Sequence, residues 1–182
     1  MLMAYDPSLQ AKVKKICKIS FGFSALFSLA IVLSDAWNLI TPEIVVQRWI
    51  AIALFTLVTA LIWYAVSYKS KSQLYYHLLT LAQMLVYVIT ITYVVYSQRG
   101  IASRAVALYA IPILLTAIIK KRTMIYLTAI ICTVFYALAS VRYFYANYGQ
   151  AYKAELYVEV GFYCAIFFVV AALCSAITSA KR

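Results

Sequence analysis

Six long apolar stretches, with most of the charged residues outside them, constrain this chain more than any other feature. They cover residues 19–36, 47–68, 74–97, 103–119, 123–144 and 157–179. A helix that spans the ~30 Å hydrocarbon core of a bilayer needs about 17–25 residues of this kind. The pattern therefore predicts an all-α polytopic membrane protein, a six-transmembrane-helix bundle that fills residues 19–182.

The composition indicates that most of the chain is surrounded by lipid and not by water. Hydrophobic residues make up 66% of the sequence and charged residues 12%, and the mean hydropathy is +0.92. A soluble domain carries roughly 45–50% apolar and about 25% charged residues. The net charge of +11 raises the question of nucleic acid, but the basic residues lie in short clusters between apolar runs. We therefore expect the lipid bilayer as a partner and no nucleic acid.

Residues 1–18 form a polar, basic segment before the first apolar run. Its lysines are Lys12, Lys14, Lys15 and Lys18. Asp6 suits a helix N-cap and Pro7 the first helical position. The segment is predicted to form an interfacial helix on the membrane surface, with the early turns of the first crossing as the alternative. A signal peptide is disfavoured because no small-residue cleavage site follows.

The distribution of lysine and arginine predicts the orientation of the bundle. Eleven basic residues lie in the N-terminal segment, in 69–73, in 120–122 and at the C-terminus, and five lie in 35–48, 98–104 and 142–159. Cytoplasmic loops of membrane proteins are enriched in Lys and Arg. We therefore expect a multi-pass membrane protein with both termini in the cytoplasm.

The fourth run is the shortest, because Arg104 and Lys120 bound it closely. Pro112 lies in its middle and removes one backbone hydrogen bond, which predicts a structural kink between Leu108 and Pro112. In lipid, the carbonyl that loses its partner needs a donor from a neighbouring helix. We therefore expect the fourth helix to lie against the third and fifth helices.

Polar side chains on the third and fifth runs define the candidate ligand site. On the third run they recur at spacings of three and four residues, so they share one helix face. Hydrogen bonding between packed helices is the plain explanation. The alternative is a pocket for a small amphipathic ligand, with Gln83 as its deepest amide. The candidate ligand-binding residues are Gln83, Tyr87, Thr90, Tyr109, Tyr136, Ser140, Arg99 and Arg104.

No combination of residues predicts catalysis, a metal site or a cofactor. The four cysteines form no CxxC pair and lie in or beside apolar runs, so we expect packing roles, with a membrane redox dithiol as the alternative. His77 has no second ligand in sight and is expected to be interfacial. No charged residue lies deep in a crossing, which argues against a pump or an ion carrier.

Small residues four apart mark the sixth run and allow close approach of another helix. Packing within one protomer is one explanation, and a homodimer through the sixth helix is the other. The residues of this predicted contact are Ala171, Ser175, Ser179, Ala172 and Ala176.

Three short patterns follow one another from the third to the fifth run: RGIAS at 99–103, YAIPI at 109–113 and KKR at 120–122. Together they resemble the six-helix membrane input domains of bacterial sensor histidine kinases and related signalling proteins. The Gly-Gly-x-x-Asn-Pro-Phe loop that one branch of that group links to quinone sensing is absent here, so quinone sensing is not expected. Those proteins continue into a coiled coil and a kinase or cyclase, whereas this sequence ends at residue 182. We expect either a stand-alone relative or a likeness of architecture only.

The resemblance implies a sensor-like or accessory module of the bacterial inner membrane that is not an enzyme and acts through a membrane or cytoplasmic protein partner. A small transporter or permease subunit for a neutral or weakly polar solute is the alternative. A membrane enzyme ranks third, because no nucleophile with a base, carboxylate pair or phosphate loop is present.

Overall fold

The computed structural model of the protein describes residues 7–37, 39–68, 72–98, 103–148 and 154–180. All regular structure in these ranges is helical. The elements are α1 (Pro7–Ala36), α2 (Pro42–Tyr68), α3 (Gln73–Ser97), a 3-10 helix (Arg104–Tyr109), α4 (Ala110–Ala117), α5 (Arg122–Tyr148) and α6 (Ala154–Ala180). The predicted all-α membrane fold is confirmed, with the 3-10 helix and α4 together forming the fourth of the six.

Local chemistry explains where several helices begin. Pro7 and Pro42 are the first residues of α1 and α2, where the missing proline N–H costs no helical hydrogen bond. Glu43 and Glu155 lie in the first turns of α2 and α6, where a negative charge interacts favourably with the helix dipole.

The N-terminal basic segment is continuous with the first crossing. Between Pro7 and Ala36, α1 runs without a break, so this stretch does not contain the separate interfacial helix that the sequence favoured. Residues 8–18 form the early turns of α1, which was the alternative. Residues 1–6 lie outside the described part of the chain.

Five helices are long and apolar enough to cross a membrane: α1, α2, α3, α5 and α6. The fourth helix is short, and at both ends its backbone rises more per residue than an α-helix does. It begins as a 3-10 helix and ends in a turn in which Ile118, Ile119 and Lys120 donate to carbonyls three residues back. At rises of about 2.0 Å per 3-10 residue and 1.5 Å per α residue, residues 104–120 extend ~30 Å, close to the thickness of the bilayer core.

The chain divides into two compact units, Met1–Val86 and Tyr87–Arg182. In the first, α1 packs along α2. The Gln10 side-chain amide donates to the Val66 carbonyl at 2.7 Å, and the Phe23 and Phe55 rings lie 5.9 Å apart. These contacts hold the two long helices antiparallel.

In the second unit, α4 packs against α5 and α6, and α5 packs along α6. Large apolar side chains remain exposed on the long helices of both units, among them Leu57, Leu138, Val158 and Leu173. Such a surface is expected where lipid is the solvent.

Candidate functional site

A groove runs along the second unit between the C-terminal half of α3 and the C-terminal half of α5. Its volume is about 550 Å³, within the range of roughly 300–1,000 Å³ that small-molecule sites occupy. Its wall is mostly apolar, with one cation, Arg142. The lining residues are Ile89, Thr92, Tyr93, Tyr96, Phe135, Leu138, Ala139 and Arg142.

One lining residue connects the groove to the fourth helix. The Thr92 hydroxyl donates to the Val88 carbonyl at 2.6 Å and lies 2.7 Å from the Tyr109 hydroxyl. Because the Thr92 proton is committed to its own helix, Tyr109 is the donor in the second bond. Tyr109 ends the 3-10 helix and is fully buried.

Two further hydrogen bonds tie the fourth helix to α5. The Cys132 thiol donates to the Tyr109 carbonyl at 3.7 Å, and the Thr116 and Thr128 hydroxyls are 3.0 Å apart. The prediction that helix four lies against helices three and five therefore agrees with these contacts, and α6 is an additional neighbour. The change from 3-10 to α geometry falls at Tyr109 and Ala110, inside the stretch where a kink was expected.

An aromatic cluster packs at this junction. The Tyr109 ring lies edge-on to Tyr136 at 5.9 Å and 5.4 Å from Phe167. Tyr136 also contacts Tyr163 at 5.7 Å. Edge-to-face pairs of this kind contribute roughly 0.5–1.5 kcal/mol beyond their burial. The position of Tyr109 is thus set by α3, α5 and α6 together.

The predicted site residues divide between the two units. Gln83 belongs to the first, is fully buried, and donates to the hydroxyls of Ser20 at 3.2 Å and Thr59 at 3.0 Å. Its side-chain oxygen has no hydrogen-bond partner among the described residues. The hydrogen bonds between packed helices that the sequence suggested are present here.

The other described candidates lie in the second unit. Tyr109, Tyr136 and Ser140 are buried around the junction, and Tyr87 is fully buried on α3. Thr90 is half-buried on α3 and Arg104 is exposed at the start of the 3-10 helix. Arg99 lies outside the described residues. None of the seven described candidates lines the groove, so the role of the eight in ligand binding stays a prediction.

Sequence reasoning missed the groove because its residues do not follow the polar stripe that was used as a guide. Thr92 lies on another face of α3 from Gln83, and its neighbours in the groove are apolar or aromatic. The sequence indicated that Arg142 lies near a membrane surface, but it gave no sign that this residue is close to α3.

Among the described residues, no three His, Cys, Asp or Glu side chains come close enough to hold a metal ion. All four cysteines are free, and Cys17, Cys132 and Cys174 are buried. These thiols are positioned as small packing groups.

Five helices that are long and apolar enough to span a membrane, together with a shorter fourth helix, define a polytopic α-helical membrane domain. A family model, the PilS-like transmembrane domain, matches residues 11–182. The chain belongs to this family, a sensor-kinase-like six-transmembrane-helix domain. The resemblance drawn from the sequence is thus confirmed. No curated protein and no solved structure matches the chain significantly.

Proposed function

We propose that the chain is a non-enzymatic membrane sensor module whose second unit binds a small amphipathic ligand in the groove between α3 and α5. The observation that carries the proposal is the bond between Thr92, which lines the groove, and Tyr109, at the junction of the fourth helix. Membership of a sensor-kinase-like family supports the class of function. The fourth helix is the element that would report the ligand, to a protein partner.

The chemistry of the groove fits a single acyl chain with an acidic or polar head. Its apolar wall suits the chain, and Arg142 supplies a positive charge for the head. None of the described residues that line the groove is an acid. Tyrosines and arginines near helix ends commonly lie at the headgroup depth of a bilayer, where such a head would sit.

Ligand binding would act on helix four through a competition for one proton. A ligand oxygen that reaches Thr92 competes for the Tyr109 O–H, because the Thr92 proton is already given to Val88. Weakening that bond frees the end of the 3-10 helix from α3. The fourth helix can then adopt either of two arrangements, one bonded to α3 and one released from it. A sensor element requires two such states.

The first test maps the ligand with photoreactive palmitic acid on the full chain in phosphatidylcholine nanodiscs. Cross-links are expected in peptides that contain residues 89–96 and 135–142. Ile89→Trp fills the groove from an exposed position and should lower labelling there several-fold. Ile130→Trp, an equally exposed isoleucine on α5 outside the groove, is the matched control. Uniform labelling of all lipid-facing helices would refute a specific site.

The second test follows helix four with spin labels at Leu114 and Leu127, both exposed. Palmitate should change the distance between them in the wild type and in Tyr126→Phe. Tyr109→Phe keeps the ring but not the proton, so the distance should no longer respond. An unchanged response in Tyr109→Phe would contradict the relay. Glycerol flux into vesicles that contain this protein alone would favour the permease alternative.

A further inference from the structure

The turn between α4 and α5 and the C-terminal end of α6 enclose a second concave site in the second unit. Its volume is about 300 Å³, and it is lined by Lys120, Lys121, Arg122, Thr178 and Ser179. Three of the five lining residues are cations and none is an acid. The site lies at the opposite end of α5 from the groove.

The backbone of the turn is held in a conformation that side chains other than glycine rarely adopt. Lys120 has a φ of 60°, in the left-handed region, where a lysine is strained. The Lys120 N–H donates to the Ala117 carbonyl at 3.0 Å, and the Met124 N–H donates to the Lys121 carbonyl at 3.0 Å. The strained turn places two lysines directly before the first residue of α5.

The hydroxyl of Ser179 on α6 holds the Arg122 side chain in place. Ser179 accepts from both Nε (3.0 Å) and Nη2 of Arg122. The Ser179 proton is donated to the Ser175 carbonyl at 2.7 Å, so Ser179 acts toward Arg122 only as an acceptor. The guanidinium is therefore oriented by α6, and its remaining N–H groups are available to a ligand.

This arrangement matches the chemistry of a phosphate group. An oriented guanidinium offers paired N–H donors, lysines offer point charges, and the start of a helix offers backbone N–H groups and a partial positive charge. The pocket lies where α5 begins and α6 ends, which in a spanning bundle is the membrane surface, the depth of lipid phosphates.

We propose that this pocket binds a phosphate group, carried either by an anionic lipid headgroup or by a soluble phosphate ester. The bound phosphate bridges the turn after α4 to the end of α6. The site is independent of the groove and of the proposed sensing function.

The test uses the full chain in nanodiscs of phosphatidylcholine with or without phosphatidylglycerol, and in phosphatidylcholine alone with glycerol 3-phosphate. Thermal unfolding and native mass spectrometry report stabilisation and retained lipid. The pocket variant Lys120→Gln/Lys121→Gln/Arg122→Gln should lose the effect, with binding about fivefold weaker for each charge removed. The control Lys12→Gln/Lys14→Gln/Lys15→Gln removes the same charge from α1 and should behave as wild type.

The outcomes separate the two sources. Stabilisation by phosphatidylglycerol alone assigns the site to lipid, and stabilisation by glycerol 3-phosphate assigns it to a soluble ester. Equal loss in the pocket and control variants would mean non-specific attraction and overturn the proposal, as would no stabilisation by either compound. If the triple variant does not fold, Lys121→Gln replaces it, and wild-type binding by Lys121→Gln would count against the site. Arg122→Lys keeps the charge but not the Ser179 bridge and should bind more weakly than wild type.

Discussion

At the scale of single residues, the orientation of the buried Gln83 amide follows from the hydrogen bonds that the neighbouring hydroxyl groups already donate. The hydroxyls of Ser20 and Thr59 donate to the carbonyls of Ile16 and Phe55, each four residues back. Both hydroxyls can therefore only accept, so the NH₂ group of Gln83 must face them. The amide oxygen is then left without a donor among the described residues.

Replacement of Gln83 by Met is expected to change the free energy of unfolding by at most about 1 kcal/mol. Two hydrogen bonds of about 0.6 kcal/mol each are lost, but an acceptor without a donor is lost with them. Unfolding by SDS in mixed micelles measures the difference. Gln83→Glu, the matched variant, should cost roughly 2.5–3.5 kcal/mol, because a carboxylate is expensive inside a membrane. A cost above about 2 kcal/mol for Gln83→Met would indicate a further role for the amide.

At the scale of elements, the fourth helix can extend across a bilayer core with few residues because part of it is a 3-10 helix, which has a larger rise per residue than an α-helix. Pro112 is the third residue of α4, so its missing N–H falls in the first turn, where α-helical bonds are absent in any case. Upstream of it the backbone takes the longer 3-10 form. Proline was expected to bend this helix, and the structure shows a change of helix type between Tyr109 and Ala110, shortly before Pro112.

Pro112→Ala is expected to shorten the fourth helix. A restored N–H can bond the Leu108 carbonyl and extend α geometry into residues 104–109, which reduces the length from ~30 Å to ~27 Å. The variant should therefore gain stability relative to wild type in bilayers with 14-carbon chains and lose it in bilayers with 18-carbon chains. Unfolding in both lipids tests this, with Leu114→Ala as a control on the same helix. The same thickness dependence in wild type and Pro112→Ala would rule out this account of the 3-10 helix.

At the scale of the whole molecule, six crossings would leave both termini on one side of the membrane, and the uneven distribution of basic residues predicts that this side is the cytoplasm. Ser72 precedes α3 and Asn147 lies near the end of α5, and both are exposed. In a cysteine-free background, an impermeant maleimide should label Asn147→Cys in intact cells. Ser72→Cys should react only after the membrane is permeabilised. Labelling of both in intact cells would refute the six-crossing arrangement, and the reverse pattern would refute the orientation.

The small residues of α6 do not all remain available for a homodimer. Ala171 and Ser175 are buried and Ser179 binds Arg122, whereas Ala172 and Ala176 are exposed. A dimer through α6 is therefore expected to depend on the exposed pair. Ala172→Leu/Ala176→Leu should lower energy transfer between labelled protomers in vesicles. The control Ala53→Leu/Ala60→Leu alters two exposed alanines on α2. No energy transfer in the wild type would show the homodimer prediction wrong.

The sequence alone determined the all-helical membrane fold, the number of helices and the family, because spanning a bilayer demands long apolar runs whatever their neighbours are. Only the tertiary structure decided which hydroxyls Gln83 meets, that Thr92 accepts a hydrogen bond from Tyr109, and that Arg122 is held by Ser179. Each of these depends on how one helix is rotated and shifted against another. Apolar runs specify that rotation weakly, since lipid and protein are nearly equivalent solvents for their side chains.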